Sequence, residues 1–485
     1  MTERALMIQG TASGVGKSLL VAGLCRLLAR SGVRVAPFKP QNMSNAAAAC
    51  PGGGEIGRAQ ALQAFACGLE PTVDMNPVLV KPEADHTAQL VVAGEVRGRL
   101  DATRFREDRE PLLPEVLAAF ERLSGSYDFV VVEGAGSPAE PNLRAGDIAN
   151  MGFAQEVGLP VWLVADIDRG GSFAALLGTV EALEPEDRRL VEALLVNRFR
   201  GEASLLDDAF VWLAERTGLP VLGAVPYLPD LLLPEEDAPY AFMEGRAGAA
   251  ADEATRLRVG AVHYPRAANI ADVDPLVADP DVEFAWLRDS GELAGLDLLI
   301  LPGSKAVAAD LAWLRERGWV PALERHLRYG GRVLGICGGL QMLGRRILDP
   351  HGIEGPPETA GLGWLALETE IQPQKLVRAI SGRASWPEEV EFAGYEIRHG
   401  DSEADPTLYP FSARSPDNQI LGTYVHGLLD QADFRRAVLE DWLAWGTDHI
   451  EDQTTRWHRD LDRLADTLHD HLDLNLLAER VGSFG

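Results

Sequence analysis

The sequence predicts an α/β protein of two domains. Short apolar runs that end in Gly, Asp or Asn alternate with amphipathic stretches, which is the pattern of a mostly parallel sheet covered by helices. The alternation stops near Pro234 and then resumes, and 485 residues are enough for two or three cores at roughly 100–200 residues per domain.

In the first series, ALMIQG reads as a buried strand and Gly16 to Arg30 as a helix. VRVAPF, YDFVVVEG, PVWLVAD, VEALLVN and PVLGAVP follow as further strands. Ligands of such sheets gather beyond the carboxyl ends of the strands, where Glu133, Asp166 and Asn197 fall. After Pro234 the chain turns acidic and Ala/Gly-rich, so residues 236–256 are expected to be a linker. This puts the first domain at residues 1–235. RLRVGAVHY, VEFAWL, DLLILPGS and GRVLGICGG open a second series, and GLGWLALETE, FAGYEIRHG and QILGTYVHG continue it, giving a second domain at 257–445. A helical tail at 446–485 closes the chain, with Trp457, Leu461, Leu464, Leu468 and Leu472 at three- and four-residue spacing.

Composition narrows the partners. There are 73 acidic and 45 basic side chains, a net charge of −28 that opposes nucleic acid and anionic membrane surfaces. Cys25, Cys50, Cys67 and Cys337 are too few and too scattered for a disulfide framework or a CxxC zinc site, which points to reducing cytoplasm. The first long apolar stretch, LLVAGLCRLLAR, is broken by Arg26 and is neither a signal peptide nor a membrane span.

At the amino terminus, strand, GTASGVGKS and helix stand in the order that phosphate binding needs. Glycines turn backbone amides toward an anion, and the helix amino terminus adds its dipole. Lys17 then reaches the terminal phosphates and Ser18 can ligate magnesium. Five residues separate Gly10 from Gly16, one more than the usual four, so Thr11 takes the first-glycine position and Gly14 sits within the loop. This form resembles dethiobiotin synthetase, an ATP-dependent carboxylate-activating enzyme. Glu133 at a strand end is a second expected magnesium ligand, and the amide of Asn197 can offer both a donor and an acceptor to adenine.

In the second half, GICGG places Cys337 between an apolar strand and a helix. Such a bend needs small neighbours, and the helix amino terminus favours the thiolate. His426, in TYVHG at another strand end, is a base that can take the thiol proton and return it to leaving ammonia. The glycine turn of LPGSK, at Gly303, and the amide of Gly338 are the expected oxyanion donors. Together PGS, GxCGGxQ and YVHG resemble class I glutamine amidotransferases, a likeness that puts Gln341 in the glutamine pocket. Those enzymes usually carry a glutamate two residues after the histidine; Leu428 stands there, so another group must orient His426 or it works as half of a dyad.

The ordered set FKPQNMSN, GGEIGRAQALQA, DMNPVLVKP, VEGAGSPAEPNL, DIDRGG, VNRFRG, LPGSK, GICGGLQMLG and TYVHGLLD resembles the cobyric acid synthases along nearly the whole chain. The resemblance implies ATP- and glutamine-dependent amidation of four side-chain carboxylates (b, d, e and g) of adenosylcobyrinic acid a,c-diamide, a corrinoid. It also implies ATP and Mg2+ as cofactors and glutamine as nitrogen donor. Glu55 is then an expected further magnesium ligand, and Lys39, Gln41, Asn42 and Ser44 expected substrate contacts. Lys17, Lys39, Lys81, Arg169 and Arg198 would supply the positive field at the site. Arg398 stands where a histidine is expected, with His399 beside it. The sister enzyme that amidates the a and c chains, and a regulatory ATPase with a decayed amidotransferase domain, are the competing readings.

Overall fold

The computed structural model describes residues 4–84, 87–101, 105–234, 256–446 and 450–482. Its contacts divide the chain into two compact units, Met1–Pro239 with Trp457–Gly485, and Tyr240–Arg456. The expected linker, 236–256, lies outside the described residues except for Arg256.

The centre of the first unit is a six-stranded parallel sheet. Its order is Val221–Pro226, Val191–Phe199, Val161–Asp166, Ala5–Gly10, Phe129–Glu133 and Val35–Phe38. Every residue of Ala5–Gly10, Phe129–Glu133 and Val161–Asp166 is buried, as continuous apolar runs require when helices cover both faces. Chain order reverses between Ala5–Gly10 and its neighbours, so their carboxyl ends open a crevice there. The phosphate loop fills it. A smaller sheet, Gln41–Met43, Val78–Ala84, Thr87–Val92 and Glu95–Asp101, was not foreseen from the sequence; its strands carry polar residues and lack a long apolar run.

From Trp457 onward the expected tail belongs to this first unit, while its earlier part falls in the second. Along helix Gln453–His471, Leu461, Leu464, Ala465 and Leu468 are buried with Leu20, Leu24 and Leu28 of helix Lys17–Arg30. Gly23 lets the helices approach, because a Cβ there would lie 2.6 Å from a Leu468 methyl and 2.9 Å from Leu464. Arg26 and Asp462 pair beside the seam at 2.7 Å, and Arg480 reaches Glu192 at 2.6 Å.

The second unit has a sheet ordered Val282–Leu287, Leu257–Val262, Leu298–Leu301, Arg332–Ile336, Ile420–Thr423 and Ala413–Arg414, antiparallel only at the last pair. A long antiparallel hairpin, Glu368–Arg383 with Glu391–Ser402, extends a second sheet. The β-like tracts in the sequence are this hairpin and the strand that ends before His426.

Packing at Gly23 is testable by over-filling it. Gly23→Leu is expected to cost about 1–3 kcal/mol through displaced Leu464 and Leu468, read as a lower denaturant midpoint for the first unit.

Candidate active sites

Two sites are built, one in each unit. In the first, the strand Ala5–Gly10 delivers the chain into a loop that closes on helix Lys17–Arg30. Gly16 has φ +91°, and a Cβ there would collide with the Asn197 amide, so only glycine fits. Asn197 is placed behind the loop: its Nδ2 donates to the Val15 carbonyl at 2.8 Å. Arg198, itself at φ 63°, donates to the Gly14 carbonyl at 2.8 Å and to Asp166 at 3.0 Å. Lys17 is buried, and its Nζ donates to the carbonyls of Ala12 at 3.1 Å and Gly136 at 3.2 Å. Thr11 and Ser13 line the open side of the loop.

Glu133, at the end of strand Phe129–Glu133, is fully buried and collects four donors. The Ser18 hydroxyl reaches Oε1 at 2.7 Å and Lys39 Nζ the same oxygen at 2.9 Å. Gln60 and Gln63 reach Oε2 at 3.1 and 2.6 Å. Asn42 is tied to this cluster through Gln60, at 2.7 Å. Ser18 and Glu133 thus offer two adjoining hard oxygens at a helix amino terminus, a donor set that fits Mg2+ completed by phosphate and water. No group of three or more His, Cys, Asp or Glu among the described residues could hold a metal, and a phosphate-bound magnesium does not require one.

Other expected residues have different surroundings. Glu55 is fully buried and paired with Lys81 at 2.6 Å, an ion pair inside the protein. Ser44 accepts from the Ala46 amide in a local turn. Lys39, Lys81 and Arg198 each face an acid, so the positive field expected of them is largely spent on Glu133, Glu55 and Asp166. Arg169 is exposed near Gly14.

In the second unit, Cys337 follows strand Arg332–Ile336 and opens helix Gly338–Leu343. Its backbone is at φ 51°, ψ −103°, a strained position for a residue with a side chain and one held by its surroundings. Gly339 has no room for a Cβ against the Leu301 carbonyl, and Gly338 none against the Ser304 amide nitrogen 2.7 Å away. The strand Gly303–Ser304, paired with Ala267–Ala268, is thereby packed on the elbow. Ser304 is fixed in turn by a 2.6 Å hydrogen bond to buried Asp310. Gln341 is buried, with its amide where a Gly400 side chain would be.

His426 is completely buried and gripped on several sides. Nδ1 lies 2.8 Å from Asp272 Oδ2, whose other oxygen accepts from the Gly427 amide at 2.7 Å. The Asn269 amide lies 3.4 Å from Nε2, and the Tyr395 ring stacks on the imidazole with centroids 5.3 Å apart. Burial pulls the imidazole pKa down, but the Asp272 charge and hydrogen bond, helped by the Cys337 thiol, outweigh it and raise the pKa to about 10.

Asp272 therefore occupies the orienting role that Leu428 cannot fill. It sits on a short 3-10 turn, Ile270–Val273, entered through Asn269 at φ 51°. Nothing in the sequence signals it, because it lies 154 residues before its partner. Arg398 stacks over the Tyr424 ring at 4.3 Å, and His399 Nδ1 is 3.0 Å from the Gln372 carbonyl.

Residues 6–240 match the CobQ/CobB/MinD/ParA nucleotide binding domain, and residues 258–434 the CobB/CobQ-like glutamine amidotransferase domain. Over 470 residues the chain is 58% identical to a cobyric acid synthase of Halorhodospira halophila (strain DSM 244 / SL1), covering 97% of this chain and 96% of that one. Among solved structures, a glutamine amidotransferase aligns at 19% identity over 43% of this chain and 98% of its own, with TM-score 0.28. PurLQS of Thermotoga maritima aligns at 13% over 44% of this chain and 100% of its own, with TM-score 0.27. Neither structural likeness is close enough to carry an argument.

The raised pKa of His426 has a sign that can be checked. The folded value lies above the ordinary 6.5, so the imidazolium stabilises the second unit in full below about pH 6.5 and this contribution fades as pH rises toward 10. Asp272→Asn is expected to move the end of the fade to lower pH, seen in pH-dependent unfolding and in the ring titration by NMR.

Proposed function

The chain belongs to the cobyric acid synthase family, and from that premise we propose which residues perform the two halves of the reaction. It is an enzyme, an ATP-dependent amide ligase that takes nitrogen from glutamine and acts on a corrinoid. Its substrate is adenosylcobyrinic acid a,c-diamide, whose b, d, e and g carboxylates become carboxamides. Four free cysteines accord with work in reducing cytoplasm, and no helix of the described residues is long and apolar enough to cross a membrane.

Cys337 is the nucleophile. His426, with its pKa at about 10, takes and keeps the Cys337 proton before glutamine arrives; Sγ then attacks the γ-amide carbon of glutamine, and the C–N bond breaks as the ring returns the proton to nitrogen. Ammonia leaves, and water then hydrolyses the thioester on Cys337 to glutamate. The backbone at Gly303 and Gly338 receives the oxyanion, with Gln341 in the glutamine pocket. Asp272 holds the imidazole in the tautomer that keeps Nε2 toward the thiol and stabilises the imidazolium that forms.

In the first unit the amides from Thr11 through Gly14 to Gly16 and the Lys17 ammonium hold the phosphates of ATP. Asn197 keeps that loop in shape from behind and is an adenine contact. A substrate carboxylate attacks the γ-phosphorus, the bond to ADP breaks, and an acyl phosphate forms. Ammonia then adds to its carbonyl and phosphate departs. Ser18 and Glu133 would hold Mg2+, which when bound spreads the phosphate charge. Lys39, Gln41, Asn42 and Ser44 border the substrate, with Lys39 and Asn42 acting through the Glu133 cluster.

The observation that carries this reading is His426 clamped by Asp272 beside a strained Cys337, a charge arrangement built for thiol activation. Cys337→Ala is expected to abolish glutamine-dependent amidation while free ammonia still supports it. Lys17→Ala should abolish amidation with either nitrogen source. For Asp272→Asn, glutaminase kcat should fall by about 10²- to 10⁴-fold with ammonia-dependent turnover retained. Product masses from cobyrinic acid and from its a,c-diamide separate the sister activity: conversion of cobyrinic acid alone, stopping at the diamide, would overturn the substrate assignment.

A further inference from the structure

A cavity of about 510 Å3 opens beside the phosphate loop, between Thr11 to Ser13 and a wall that includes Gln41 and Met43, and gives the reactants of the first unit room. The second unit works at closer quarters. Cys337 and His426 are both buried, and the strand Gly303–Ser304 lies against the surroundings of each: a Cβ on Gly303 would be 3.4 Å from His426 Cε1, and one on Gly338 2.7 Å from the Ser304 amide nitrogen. That strand has two residues and pairs with an equally short one, Ala267–Ala268, a ribbon too small to be rigid by itself. One side chain holds both of its strands. Asp310, on helix Val307–Glu316, is completely buried; its Oδ2 accepts from the Ser304 hydroxyl at 2.6 Å, and its Oδ1 from the amide of Arg266, just ahead of Ala267, at 3.3 Å. Ser304 Oγ accepts in turn from the Ala306 amide at 3.0 Å, and the Lys305 amide donates to the Arg266 carbonyl at 2.9 Å.

A carboxylate is costly to bury, and an apolar side chain would cover this face of the helix more cheaply, so an acid whose two oxygens both go to one ribbon is holding geometry. Burial pushes its carboxyl up to about 6, while the bonds from Ser304 and Arg266 oppose the rise, which leaves an anion at neutral pH with both oxygens accepting. Geometry is what an oxyanion pocket needs. Its backbone donors stabilise the transition state only when they are aimed at the place the developing oxyanion will occupy, and a ribbon free to slide would lose that aim.

We propose that Asp310 is a positioning residue for glutamine hydrolysis: by tying Ser304 to the residue that leads into the neighbouring strand, it keeps the Gly303–Ser304 backbone where the tetrahedral oxyanion forms. It touches no reacting atom. This rests on the glutaminase reading above and names what sets its oxyanion pocket. Asp272 and Asp310 then divide the work, the first orienting the base and the second the oxyanion donors, and their losses have different signatures.

The test compares full-length wild type, Asp310→Ala, Asp310→Asn and Ser304→Ala by glutaminase kinetics and by the rate at which iodoacetamide alkylates Cys337, followed on that peptide by mass. Alkylation joins Sγ to carbon as iodide leaves and develops no oxyanion, so it reads the thiolate alone. Asp310→Ala should lower glutaminase kcat about 10²-fold, as for one lost oxyanion donor. The KM for glutamine and the alkylation rate should stay near wild type, because the lost interaction is made only in the transition state. Asp310→Asn keeps an oxygen for the Arg266 amide and gains an NH2 that can donate to Ser304 Oγ, so most of the kcat should return. Unchanged kcat in Asp310→Ala, a raised KM with kcat kept, an Asn variant as slow as the Ala variant, or alkylation lost along with kcat would each overturn the proposal. Should Asp310→Ala not fold, Ser304→Ala decides, since it cuts the same link and leaves the acid in place: a lowered kcat with alkylation retained supports the proposal, and an unchanged kcat ends it. A wild type that releases no glutamate from glutamine instead removes the glutaminase reading itself, a separate result.

Discussion

The carboxylate of Glu133 is the point on which the first unit turns. Buried at a strand end, it would be costly to ionise alone, and four donors from three segments converge on it. Ser18 comes from the phosphate-loop helix, Lys39 from the strand-to-sheet connection, Gln60 and Gln63 from helix Arg58–Ala66. One charge therefore fixes the start of the nucleotide helix and the approach to the substrate cavity together. Asn42 extends the same constraint by one more hydrogen bond, which places Gln41 and Met43 on the cavity wall.

The second unit solves a similar problem around a cation. His426 has no access to water, so its protonated form depends on Asp272, and Asp272 depends on the Gly427 amide and a short turn entered through a left-handed Asn269. Strain is held nearby at Cys337, where the two glycines that follow it let the backbone approach Leu301 and Ser304. The orienting acid thus arrives from the first crossover of the sheet, not from the segment that follows the histidine.

Much of this was legible in the chain. The parallel strands are long apolar runs with polar ends, and the two loops carry glycines where the backbone has no alternative, so Gly16, Lys17, Cys337 and His426 could be picked out by pattern. What escaped has a common physical cause: it depends on long-range pairing of polar groups. Asp272 finds His426 across 154 residues, and Glu55 meets Lys81 from another strand. The small sheet at Gln41–Asp101 was missed because its strands alternate polar and apolar residues too irregularly to stand out. The tail's leucine spacing predicted a helix, but spacing alone does not say which core a helix completes.

That core belongs to the unit made first, and this has a consequence for how the chain is synthesised. Helix Lys17–Arg30 is synthesised long before the leucines that cover its outer face, Leu461 to Leu468. At about 5–20 residues per second, the 430 residues between Arg30 and Leu461 leave that apolar stripe uncovered for roughly twenty to ninety seconds. The nascent nucleotide domain thus carries a bare apolar stripe until that helix is made, and a stop codon ahead of Leu461 would leave the stripe bare for good, harming a unit encoded hundreds of codons upstream.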